Sequence, residues 1–365
     1  RDVYKRQARN SHDCSRPRIG IVSPNGSSDT YQLLTGGTMS TIYFGTNRDP
    51  NRLPSPDDFG DAFSRDGLAN LRFGQAEVDP DNGGVSTLEL YPEQPDGTLL
   101  GSTKLFETLQ QRMLDNHGDL LIFIHGFNTT FKEALQTAAI LQQKYRIDGE
   151  EPLNVVTFSW PSDGKPSSYR NDRHDAKSSG LAFARGIQKV LEFLTHLDAN
   201  RNCKRDMHLI AHSMGNYLLR HAVQEMLEQN PGPLPRLFEQ IILAAADEDD
   251  DALEKDHKLK RLPELSRRVS VYFNRGDRAL NISDWTKGNP DRLGSDGPRR
   301  PTEVPMKVSL VDCGDVVGGA VEHNYFYAHQ KVVSDIIETL KGTPDDDRPG
   351  LRRDFDSRRN RWRLK

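Results

Sequence analysis

Leu209-Ile210-Ala211-His212-Ser213-Met214-Gly215-Asn216 decides how this chain is read. The apolar run 207–211 has the length and composition of a short buried strand, and it stops at a serine whose neighbours two positions away are the small residues Ala211 and Gly215. Beyond it, Tyr217, Leu218, Ala222 and Met226 fall at helical spacing within 216–228. Strand, sharp turn and helix are the setting of a nucleophile elbow. The serine there sits on a strained turn with its hydroxyl beyond the strand end, and bulk two residues before or after would collide with the turn. Ala211 stands where the pattern usually has its first glycine and is small enough to fit.

A serine hydroxyl is a poor nucleophile until an imidazole takes its proton, and the imidazole needs an anionic partner to hold its tautomer and its charge. In α/β folds that carry this elbow the three arrive in the order Ser, acid, His. Downstream of Ser213, the strand pattern 269–273 runs into Asn274-Arg275-Gly276-Asp277, which puts Asp277 just past a strand end. The next strand, 307–313, leads through a Gly-rich loop to His323, on a loop before a helix. His323 is preferred to His329, which falls inside the helical pattern. Asp277 is preferred to the alternative acid Asp247, which heads the run Asp247-Glu248-Asp249-Asp250-Asp251 after strand 240–246. The rest of that run reads as a helix start and solvated face, where negative charge suits the macrodipole. It lacks the alternating spacing of metal ligands, so no metal and no cofactor is expected.

The tetrahedral intermediate of acyl transfer needs preorganised N–H donors for its oxyanion. Strand 120–124 ends in His125-Gly126-Phe127-Asn128, where Gly126 permits close backbone approach, and the amides of Phe127 and Met214 are the expected donors. His125, Gly126 and Gly215 are supporting residues. Neither His125 nor His212 is expected to act as a base.

From residue 120 onward apolar strands alternate with helices, at 131–145, 178–197, 216–228 and 327–340. This predicts an α/β fold with a mostly parallel sheet, helices on both faces and, from the short strands and turns before residue 118, an antiparallel N-terminal edge. The polar stretches 161–177 and 281–305 are expected to roof the strands' carboxyl ends. Residues 1–38 read as a flexible leader, 39–341 as one domain (39–118 the N-terminal strands, 119–341 the catalytic core), and 342–365 as a solvated, arginine-rich tail.

Composition narrows the function classes. The chain has 365 residues, ample for a core, and a formal net charge of -4, so no global field points to nucleic acid. Cys14, Cys203 and Cys313 are far apart and odd in number, which argues against a disulfide framework and makes a cytoplasmic location the default. No apolar run reaches the roughly 18 residues of a membrane span. The chain opens on Arg1 and its first methionine is Met39, so residues 1–7 read as a truncation scar and export is left open.

The chain resembles the bacterial family of alpha/beta hydrolases of unknown function, in the esterase/lipase superfamily. The matching segments are Phe123-Ile124-His125-Gly126-Phe127-Asn128, Phe158-Ser159-Trp160-Pro161-Ser162-Asp163-Gly164, residues 169–179, Ala211-His212-Ser213-Met214-Gly215-Asn216, Leu243-Ala244-Ala245-Ala246-Asp247, Asn274-Arg275-Gly276-Asp277-Arg278-Ala279-Leu280 and His323-Asn324-Tyr325-Phe326. The resemblance implies the α/β-hydrolase fold and serine-hydrolase chemistry, with Ser213, Asp277 and His323 in the matching places. Glu322 departs from the glycine often found before the histidine. A carboxylic ester hydrolase acting on a small-molecule ester is the leading expectation. Acyl transfer by the same triad and a non-catalytic binding or scaffold role are the alternatives, and the oligomeric state is open. Arg170, Arg173, Arg275 and Arg278 are expected to line the mouth and to favour small or anionic esters.

Overall fold

The computed structural model describes residues 38–93, 100–147, 151–197, 203–277, 279–280, 291–318 and 323–365. The expected leader and the residues Arg278 and Glu322 lie outside them. In chain order the strands are β1 (Ser40–Thr46), β2 (Arg48–Pro50), β3 (Phe59–Phe63), β4 (Arg72–Val78), β5 (Val85–Leu90), β6 (Leu120–Ile124), β7 (Arg146–Ile147), β8 (Glu151–Pro152), β9 (Asn154–Ser159), β10 (Met207–His212), β11 (Phe238–Ala244), β12 (Ser266–Phe273), β13 (Val308–Asp312), β14 (Arg353–Asp356) and β15 (Arg361–Leu364). The helices are α1 (Gly101–Asn116), α2 (Phe131–Lys144), α3 (Tyr169–Thr195), α4 (Gly215–Gln229), α5 (Leu293–Asp296), α6 (Tyr325–Ala328) and α7 (Gln330–Leu340).

Eleven of the described strands form one sheet in the order β14-β15-β13-β12-β11-β10-β6-β9-β1-β4-β5. Every pairing from β1 across to β15 is parallel, and β4 and β5 add the antiparallel N-terminal edge. Strands β6, β9 and β13 are buried along their whole length, as strands covered on both faces must be. One face packs against α1, α3 and α4 through side chains such as Leu109, Phe183 and Leu218. The other is covered by α2, α6 and α7 through Leu135, Phe326 and Ile336. This layering is the α/β-hydrolase arrangement.

Local chemistry explains the helix boundaries that matter for the site. Thr130 caps α2, its hydroxyl accepting from the amide of Glu133 while the Glu133 carboxylate accepts from the Thr130 amide. Gly180 lets α3 lie directly on α4: a Cβ there would come within 2.7 Å of His221 Cβ. No described helix is long and apolar enough to cross a membrane.

Three expectations are corrected. The stretch 161–177 is not wholly loop, because α3 starts at Tyr169 and its first turns bury Asp172 and Asp175. The helix expected over 327–340 is broken at His329, which separates α6 from α7. The tail is not solvated: β14 and β15 form the C-terminal edge of the sheet, β15 running parallel to β13. Arg348, Arg353 and Arg361 are used internally. The buried carboxylate of Asp335 accepts from Arg353 Nε at 2.8 Å and lies 3.5 Å from Arg348 Nη1, and Arg361 meets Asp312 at 2.7 Å.

Candidate active site

Strand β10 delivers Ser213 to the carboxyl edge of the sheet with φ of 51°, left-handed backbone that a non-glycine residue adopts only under constraint. The constraint is visible in hydrogen bonds. The Ser213 amide donates to Ala244 O at 3.0 Å, and its carbonyl accepts from the amides of Asn216 and Asp247, each at 3.1 Å. Asn216 Nδ2 adds a further bond to the same carbonyl at 3.0 Å. Gly215 is required by space, because a Cβ there would stand 2.6 Å from His125 O and 2.8 Å from Ile124 O. The elbow is thus pressed against the end of β6.

The loop 125–130 follows β6. A Cβ on Gly126 would lie 2.8 Å from Ser213 Cβ, so this backbone passes directly beside the serine. His125 organises the loop from behind. Its ring is buried and stacked on Trp160 with centroids 5.0 Å apart. Nε2 accepts from the Trp160 amide at 3.1 Å, which leaves the proton on Nδ1 to be donated to Gly126 O at 2.9 Å. Burial, with the Arg48 guanidinium second, pushes this imidazole down to about 3. It is neutral in any ordinary buffer. In a trans peptide the N–H points opposite the C=O, so holding Gly126 O toward His125 turns the Phe127 amide away from it.

Asp172 braces the same loop. Its carboxylate accepts from the amides of Asn128 at 3.1 Å and Asp163 at 2.9 Å and from the Ser162 hydroxyl. Asn128, at φ of 57°, needs such a brace. Burial raises the Asp172 carboxyl above its ordinary value, with these donors opposing the rise.

His323 and Asp277 meet. His323 Nδ1 lies 2.7 Å from Asp277 Oδ2, and Asp277 Oδ1 accepts from the Ala279 amide at 3.0 Å. Asp277 is fully buried while the His323 ring keeps partial exposure. The ring of His212 packs beside it, centroids 4.7 Å apart, and donates from Nε2 to His323 O at 3.3 Å. Ser213 and His323 line one cavity of about 560 Å³ together with Gly126, Phe127 and His212. Among the described residues the Ser213 hydroxyl makes no hydrogen bond to the imidazole. Met214 is buried at the head of α4, where helix amides have no partner within the helix.

Asp247 also lines the cavity but is engaged elsewhere. Its Oδ2 accepts from the Tyr169 hydroxyl at 2.7 Å, and its Oδ1 lies 3.4 Å from Arg292 Nε. The structure therefore brings Asp277, and not Asp247, to His323. Tyr169 was not anticipated: its ring meets Phe127 edge-on at 5.4 Å and forms part of the cavity wall. Glu133, which closes the N-terminal cap of α2, is another wall residue.

Among the described residues Arg170, Arg173 and Arg275 are not on the cavity wall, and Arg278 lies outside them. Arg173 stacks over the Tyr217 ring at 3.7 Å, Arg275 faces Asp296 at 3.8 Å, and Arg170 is exposed. The charged side chains on the described cavity wall are the carboxylates of Glu133 and Asp247. No group of three or more His, Cys, Asp or Glu side chains is arranged to hold a metal ion among the described residues.

Comparison with known proteins agrees with this fold. An uncharacterized protein of Nostoc sp. (strain PCC 7120) is 28% identical over 219 residues, which are 52% of this chain and 52% of the relative. The chain thus spans about half the length of that curated relative. The family model described as alpha/beta hydrolase of unknown function matches residues 102–340, from α1 to the end of α7, and the chain belongs to that family.

Proposed function

We propose that the protein is a serine hydrolase that cleaves carboxylic esters through an acyl-enzyme on Ser213. The observation that carries this reading is the 2.7 Å contact between His323 Nδ1 and Asp277 Oδ2, in a cavity that also holds a serine on a positive-φ elbow. Asp277 keeps the proton on Nδ1, so Nε2 is the free base. His323 takes the Ser213 proton as Oγ attacks the ester carbonyl. The oxyanion is received by the amides of Phe127 and Met214. Collapse breaks the bond to the alcohol, which leaves with the proton from His323. Water, deprotonated by the same imidazole, then releases the acid and restores the serine. The serine–imidazole bond is commonly long without substrate and tightens in the complex.

Of the two wall carboxylates Asp247 is paired with Arg292, so Glu133 sets the sign and favours neutral or cationic esters over anionic ones. A fluorophosphonate probe tests the chemistry. The parent protein is expected to be labelled and Ser213→Ala to be silent; equal labelling of the two would remove Ser213 as the nucleophile.

A further inference from the structure

A second cavity, of about 220 Å³, lies between α1, α3 and the sheet. It is remote from the serine. Met207, at the start of β10, is on its wall, whereas Ser213 follows the end of that strand, about 20 Å away at roughly 3.3 Å per residue. Leu105 and Leu109 of α1, Phe183 and Ile187 of α3, and Ile122 and Val156 of the sheet are on its wall. Arg205 stands at the edge of this apolar lining, exposed and without a hydrogen bond or ion pair among the described residues.

Gly186 leaves this space open. It lies inside the 27-residue helix α3, on the cavity wall, and a Cβ there would meet only Leu71 Cδ1, at an ordinary 3.7 Å. A larger residue would fit and would favour the helix, since glycine is among its poorest formers. An apolar cavity of about 150 Å³ stays dry and admits benzene. The present one is larger, enough for an alkyl chain of about eight to ten carbons.

We infer that this cavity binds a single-chain carboxylate amphiphile, a medium-chain fatty acid, with its alkyl chain between α1 and α3 and its carboxylate on Arg205. The inference uses no property of Ser213 and stands or falls apart from the ester-hydrolase reading.

Titration of methyl-labelled full-length protein with decanoate tests it. The methyl resonances of Ile122 and Ile187 are expected to shift, while that of Ile140, on the Ser213 cavity, stays in place. Gly186→Leu, with folding verified by circular dichroism, is expected to abolish the shifts. Arg205→Ala is expected to weaken decanoate about tenfold and to leave decanol unchanged. Vesicles of an anionic two-chain phospholipid are expected to shift neither isoleucine. The proposal is overturned by an absence of shifts at Ile122 and Ile187, by their survival in Gly186→Leu, by equal responses of decanoate and decanol to Arg205→Ala, or by a response to vesicles in place of decanoate.

Discussion

The Cα of Gly126 lies so close to Ser213 that a Cβ added to it would stand 2.8 Å from the serine Cβ. Side-chain growth at 126 must therefore displace either Ser213 or the backbone that carries the Phe127 amide. Gly126→Ala is expected to lower kcat toward a short-chain p-nitrophenyl ester about a hundredfold, the usual cost of misplacing an oxyanion donor. Unchanged kcat would show that the oxyanion is held elsewhere.

Two carboxylates competed for the role of acid, and their partners make opposite demands. Asp277 meets the imidazole of His323, whereas Asp247 is held by Tyr169 and Arg292. Asp277→Asn is expected to reduce kcat by about 10³ to 10⁴, because an amide no longer favours the Nδ1-protonated ring. Asp247→Asn, which alters a group bonded to Tyr169 and Arg292 and not to His323, is expected to change kcat less than about tenfold and to act mainly on KM. Reversal of that order in esterase assays would reassign the acid.

The elbow and its partners were legible because their signals are local. Ser213 follows an apolar run, Gly215 lies two residues on, and Asp277 and His323 each follow a strand of buried residues. The unread parts depend on distant partners. Asp172 and Tyr169 sit in a run of polar residues that resembles a loop until the amides of Asn128 and Asp163 and the carboxylate of Asp247 arrive from elsewhere in the chain. Arg348 and Arg353 resemble a solvated tail until Asp335, on α7, is folded beneath them.

That buried carboxylate gives the C-terminal edge a measurable test. Asp335 is fully buried, Arg353 and Arg348 converge on it, and Tyr272 donates to it at 2.8 Å. Asp335→Ala would leave two buried guanidinium groups sharing one carboxylate, Asp345, so that one charge goes uncompensated, and is expected to destabilise the fold by about 3 to 5 kcal/mol in urea unfolding. A change within about 0.5 kcal/mol, the range of an exposed site, would return residues 342–365 to the status of a solvated tail.

Buried titratable groups set opposing slopes of stability against pH. His125 is held down at about 3, against 6.5 when exposed, so between those values the unfolded chain binds a proton that the folded chain refuses. Its contribution is complete above about 6.5 and is lost as pH falls toward 3, and His212, whose buried ring is also pushed down, acts in the same direction. Glu248 does the reverse. Burial raises its carboxyl to about 7, against 4.5 when exposed, with Arg220 opposing the rise. Between these values the folded chain keeps a proton that the unfolded chain releases, so stability present below about 4.5 is lost as pH climbs through 7. Glu248→Gln removes this slope and leaves Arg220 within 3.9 Å of Asp249. The unfolding free energy of the variant minus that of the parent is expected to increase by about 3 kcal/mol between pH 4.5 and pH 8. A difference that stays constant across that range in urea titrations would show that Glu248 does not change protonation there.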